Sequence, residues 1–131
     1  METFTVRTRV RTELVDITHR VAEVVRESGV AEGVCLVYVP HTTAAVTINE
    51  NADPTVRRDI EAELEKIVPW SDGYAHSEGN SAAHIKSSLI GCSEVIPVSD
   101  GRLTLGTWQG IYFCEFDGPR SRSVMVKVVS G

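Results

Sequence analysis

The chain has 131 residues, of which 42% are hydrophobic and 24% charged, with a formal net charge of −5; this fits one globular domain with its own core and excludes a disordered or fibrous chain. Its 13 basic residues are scattered among 18 acidic ones, so the basic field that a nucleic acid or an anionic membrane surface requires is missing, and neither is expected as a partner. No apolar run approaches the roughly 18 residues of a membrane span, and the opening Met-Glu-Thr-Phe-Thr-Val-Arg has no apolar signal segment, so the expected location is cytoplasmic.

Residues 3–11 alternate, with Phe4, Val6 and Val10 against Thr5, Arg7 and Arg9, and predict an amphipathic strand. Asp16 or Thr18 then caps a helix running to about Ser28, with Ile17, Val21, Val24 and Val25 as its apolar stripe and Gly29 at its end. Residues 34–39 are a continuous apolar run and read as a strand buried on both faces. Residues 44–48 alternate and read as its hairpin partner, which puts His41-Thr42-Thr43 at the turn. Asp53-Pro54 starts a second helix, a cap followed by proline at the first helical position. Val56, Ile60, Leu64 and Ile67 give it a core face, and Pro69 stops it. A third helix is expected over residues 81–89, capped by Asn80 or Ser81 and ended by Gly91. Four strands follow at residues 93–98, 102–107, 110–116 and 122–129, with Asp100-Gly101 as a two-residue hairpin turn between the first two. The expected fold is therefore α+β: a single domain over residues 1–131, mostly antiparallel sheet or sandwich, carrying about three helices.

Residues 73–91 concentrate the chemistry. His76, Glu78, His84, Lys86, Ser87 and Ser88 surround a loop-to-helix junction, whose free N–H groups suit an anion such as phosphate. His41, His76 and His84 each stand where an element begins or ends, and three imidazoles suit a zinc-like metal with one open position. No HxxxH or HxH pair joins them, and His76 meets His84 only if the loop folds back on the helix. His84 shares a helical face with Ser87 and Ser88, whereas Lys86 points about 200° away. Glu78 is placed to orient an imidazole, and Glu50 is the member of its polar run with the least structural purpose. Trp108, bracketed by Gly106 and Gly110, is a candidate stacking surface; Glu115 and Asp117 face one side of a strand end; Arg120 is a candidate phosphate ligand. His19 lies on the polar side of the first helix and reads as solvated. Cys35, Cys92 and Cys114 form no CxxC pair, which suits a reducing compartment, and Cys35 and Cys114 read as small core residues.

Taken in order, these blocks resemble the YjbQ-like family. The matching residues are His41-Thr42-Thr43; residues 47–56; His76 with Glu78-Gly79; residues 83–91, Ala-His-Ile-Lys-Ser-Ser-Leu-Ile-Gly; and residues 105–111 with Glu115. With the flanking strands, the resemblance covers essentially the whole chain. It implies a compact α+β fold assembled as a homotrimer, with a histidine pocket near the subunit boundary. It also implies a bound divalent metal, zinc or, with a diphosphate substrate, magnesium, and a weak thiamine-phosphate synthase activity. His41, His76, His84 and Glu115 carry over as the polar cluster, with Lys86, Ser87 and Trp108 beside it. Residues 116–120, Phe-Asp-Gly-Pro-Arg, depart from the more basic or histidine-containing tail of some relatives, so Arg120 has no support from the resemblance.

Two readings stand at this point. In the first, an enzyme acts on a phosphorylated small molecule, with His84, Glu115 and Glu50 catalytic, Lys86, Ser87, Ser88, Trp108 and Arg120 binding substrate, and His41, His76 and His84 holding the metal. In the second, a non-catalytic trimer binds a metal or ligand through the same histidines.

Overall fold

The computed structural model describes residues 1–131. In chain order its elements are β1 (Glu2–Arg7), β2 (Glu13–Asp16), α1 (Thr18–Ser28), β3 (Gly33–Tyr38), β4 (Ala44–Glu50), α2 (Pro54–Ile67), α3 (Ser81–Ile90), β5 (Ser93–Ser99), β6 (Arg102–Leu103), β7 (Gln109–Glu115) and β8 (Ser121–Ser130). The strands form a five-stranded sheet ordered β1-β8-β3-β5-β6 and a three-stranded sheet ordered β2-β7-β4. Every pairing is antiparallel, and the domain is α+β, as expected.

The helices form where local chemistry asks for them. Gly29 closes α1 in the left-handed region at φ 71°, where a side chain would be strained. The Asp53 carboxylate accepts the Thr55 amide at 2.9 Å, and Pro54 fills the first helical position of α2. Asp100 and Gly101, with φ of 55° and 74°, make the tight β5–β6 turn. The main core lies between the sheets. Cys35 and Val37 from β3, Ile96 and Val98 from β5, and Val124 and Val126 from β8 face Val46, Ile111 and Phe113, with Val21 and Val25 of α1 closing one side. The opposite face of β7 presents Tyr112 and Cys114 to Leu64 of α2 and Ala83 of α3. No helix is long and apolar enough to cross a membrane.

Four strand expectations are corrected. β3 and β4 are not a hairpin: β3 pairs with β5 and β8, while β4 pairs with β7 in the other sheet. Residues 39–43 therefore cross between sheets, anchored by the Val39 amide on the Cys92 carbonyl at 2.8 Å; they hold Pro40 and lack the two-residue turn a hairpin needs. Nor is β3 buried on both faces, since Val34 and Tyr38 remain 42% and 41% exposed. The doubly buried strand is β7, central in the small sheet and covered by α2 and α3. β1 stops at Arg7, and β2 forms from residues that read as a loop and helix cap. Finally, β6 is only two residues long.

This topology gives the small sheet two distinct ends. Ala44 pairs with Glu115 at one, and Glu50 with Gln109 at the other; six residues of strand separate them by about 20 Å.

Candidate functional site

At the Ala44–Glu115 end the sheet crossover, the loop before α3, and the turn between β7 and β8 converge on a cleft of about 730 Å³. That is the size of a small-molecule site. Only one of its twelve lining residues is hydrophobic, so it suits a polar ligand.

Arg122 lines it as one half of an ion pair at the edge of the core. Glu115 is fully buried and Arg122 is 6% exposed. Arg122 Nε donates to Glu115 Oε1 at 2.9 Å, and Nη2 donates to Glu115 Oε2 and, at 2.9 Å, to Thr43 Oγ1. Thr8 Oγ1 and the Asp117 amide also donate to the carboxylate, at 2.7 and 3.0 Å. Burial pushes the Glu115 carboxyl up, but the bonds from Arg122, the Asp117 amide and Thr8 outweigh it and hold it below its ordinary value. A carboxylate so fully bonded is no base; it holds Arg122 against the cleft. The turn that brings Asp117 round requires Gly118, where a Cβ would meet the Val10 carbonyl at 2.3 Å.

Beside this pair, Asp117 accepts from Arg120 Nη2 at 3.0 Å and from Asn80 Nδ2 at 2.8 Å. Asn80 therefore turns its amide nitrogen toward Asp117 rather than capping α3 with its side chain, and its Oδ1 is buried without a partner.

The three histidines meet here. His41 Nε2 accepts the Ser123 amide at 2.9 Å, which puts the ring proton on Nδ1. Burial, then the nearby Arg122 charge, lowers its pKa below the ordinary value. A two-dimensional ¹H–¹⁵N spectrum is expected to show this tautomer at pH 7, with titration below about 6.5. Because the folded pKa is the lower one, neutral His41 contributes stability that is complete above the unfolded value of about 6.5 and is lost as pH falls through the folded one. The loop folds back through a turn, the Gly79 amide donating to the His76 carbonyl at 3.1 Å. The His76 and His84 rings then stand edge to face with centroids 5.6 Å apart, and His76 Nε2 lies 3.7 Å from Glu78 Oε1.

A metal held by all three imidazoles would have to compete with the Ser123 amide for the His41 Nε2 lone pair. Freeing His41 would cost a backbone hydrogen bond.

The description "UPF0047 protein YjbQ-like" matches residues 2–131. The chain belongs to the YjbQ-like family. A UPF0047 protein of Methanocaldococcus jannaschii is 53% identical over 126 residues, covering 96% of this chain and 91% of its own length. The UPF0047 protein YugU of Bacillus subtilis is 49% identical over 130 residues, 98% of each chain. Among solved structures, an uncharacterized YjbQ/UPF0047 protein of Clostridium acetobutylicum matches with TM-score 0.97 at 53% identity, covering 98% of this chain and all of its own. A YjbQ-like protein of unknown function from Sulfolobus solfataricus matches with TM-score 0.96 at 35% identity, covering 99% and 96%.

In this YjbQ-like chain His41, His76, His84 and Arg120 line the cleft as the sequence suggested. Ser87 and Ser88 line an adjoining cavity together with His41 and His84. Three expectations need correction. Lys86 is not a phosphate ligand: it is 1% exposed and its Nζ pairs with Glu65 of α2 at 2.8 Å, as its position about 200° round the helix from His84 requires. Glu50 and Trp108 belong to the far end of the small sheet, and Trp108 stands 63% exposed there. Glu115 supports the site from behind Arg122 and does not face the cleft.

Sequence reasoning passed over Arg122, Asn80 and Asp117 as a working group. A signal for Arg122 existed: it shares the inward register of β8 with Val124 and Val126, and Glu115 that of β7 with Ile111 and Phe113. Opposite charges on two inward-facing registers point to a buried pair.

Proposed function

We propose that the cleft makes this YjbQ-like protein an enzyme acting on the phosphate group of a small phosphorylated molecule. The observation that carries this reading is the convergence of Arg120, Arg122, His76 and His84 on one polar cleft. Arg120 and Arg122 each keep Nη1 outside the bonds that fix the rest of the guanidinium, which suits a phosphoryl oxygen. His84 gives a proton to the departing alcohol oxygen as the P–O bond breaks and water adds to phosphorus, and the proton that water releases returns to the imidazole. His76, beside Glu78, shares the proton traffic.

Two guanidiniums meet three carboxylates here: Glu78, Asp117 and, behind Arg122, Glu115. A phosphate dianion therefore needs further hydrogen-bond donors, which the imidazole N–H groups of the cleft supply. Thiamine-phosphate synthesis, implied by the family resemblance, calls for stacking surfaces for two rings. The cleft offers Tyr38, while Trp108 is remote, so cleavage or transfer of a simpler phosphate ester is the better fit.

The test is isothermal titration of inorganic phosphate, beside phosphate release from a panel of small phosphate monoesters. Saturable binding at pH 7, with turnover of at least one ester, is the expected result. Phosphate bound without any turnover would reduce the protein to a ligand-binding module, and no binding would sink the reading. Elemental analysis of the same untagged protein addresses zinc or magnesium; about one ion per chain would require His41 to release Ser123. The implied homotrimer belongs to the same proposal and is read from the mass in solution.

A further inference from the structure

His41, Thr42 and His84 line not one cavity but two. Beyond them lies a second space of about 550 Å³, lined also by Ser87, Ser88 and Cys92. The charges divide sharply between the two. Glu78, Asp117, Arg120 and Arg122 all line the first cavity, whereas none of the seven residues lining the second is Asp, Glu, Lys or Arg.

The two serine hydroxyls of the second cavity are also polarised in one direction. Ser87 Oγ donates to the Ala44 carbonyl at 2.6 Å, and Ser88 Oγ donates to the His84 carbonyl at 2.9 Å. Each proton is spent on backbone, so each serine oxygen offers lone pairs. A neutral wall rich in acceptors attracts neutral donors and carries no charge to hold an anion.

We infer that the second cavity is the subsite for the organic half of the substrate, and that this half is a hydroxyl-bearing alcohol. The inference rests on the phosphate reading of the first cavity and adds the chemistry of the group attached to the phosphate. The histidine ridge then stands at the junction, where the ester oxygen bridges the two halves. An aromatic or purely aliphatic alcohol would leave the serine oxygens facing apolar surface.

Three phosphonates that cannot be hydrolysed separate the halves: methylphosphonate, butylphosphonate and 3,4-dihydroxybutylphosphonate, titrated calorimetrically into the intact protein. The diol is expected to bind about tenfold more tightly than methylphosphonate, the worth of one or two neutral hydrogen bonds. Butylphosphonate is expected to match methylphosphonate within about twofold.

Cys92 provides the control, because it is exposed while Cys35 and Cys114 are buried. Burial raises those two thiols to about 11 and about 12, so N-ethylmaleimide reaches Cys92 first. Alkylation of the folded protein fills the second cavity and is expected to erase the diol's advantage while leaving methylphosphonate affinity unchanged. A Cys92→Ser variant given the same treatment should keep the advantage. A diol advantage that is absent, is matched by butylphosphonate, or survives alkylation overturns the subsite. Failure of all three phosphonates to bind overturns the phosphate reading beneath it.

Discussion

His84→Ala is expected to lower kcat/KM for phosphate-ester cleavage by about 10²–10⁴-fold, the usual worth of a placed general acid. The fold should barely notice the change. His84 is only half-buried, its backbone amide is held by the Asn80 carbonyl, and its ring stands edge to face with His76. Alanine is also the better helix former at a position inside α3. Urea unfolding should therefore place the variant within about 1 kcal/mol of the wild type. Activity preserved in a folded His84→Ala protein would remove the imidazole from the chemistry altogether.

Glu115→Ala is expected to cost about 3–5 kcal/mol, because it leaves the Arg122 guanidinium buried without its counter-ion. The loss extends beyond the pair. Thr8 Oγ1 and the Asp117 amide lose their acceptor, and with them goes part of the link between the end of β1 and the β7–β8 turn. Equilibrium unfolding in urea measures it, and a change below about 1 kcal/mol would show that the pair is dispensable. Removing both charges, as Glu115→Leu with Arg122→Met, should recover much of the stability while abolishing phosphate binding, since apolar groups of similar volume can replace a buried pair. The pH dependence has a definite sign. The folded carboxyl sits below its ordinary value, so its contribution is complete above the unfolded value of about 4.3 and is lost as pH falls through the folded one. Glu115→Gln should flatten the stability curve in that acid window.

Much of this architecture was legible in residues that are neighbours along the chain. All three helices formed within about a residue of expectation because apolar periodicity, the Asp53 cap, Pro54 and Gly29 act locally. β5, β7 and β8 announced themselves by alternation or apolar run, and Asp100-Gly101 by its turn chemistry. The three histidines were singled out by their places at element ends. Even the exclusion of Lys86 from the site was written in helical geometry, 200° of rotation from His84.

What tertiary structure alone decided is which ends meet. The apolar run of β3 says that the strand is partly buried, but it cannot say that the next strand joins a different sheet; that follows from how two sheets share one core. Once β4 pairs with β7, Glu50 and Trp108 are carried to the far end and Ala44 and Glu115 to the cleft. The bonds that shape the site join residues distant in sequence. Thr8 reaches Glu115 across 107 positions, and His41 reaches Ser123 across 82. Propensity and periodicity act over a few residues, so the sequence determined the elements and the reactive residue types, while packing and register determined which of those residues share a cleft.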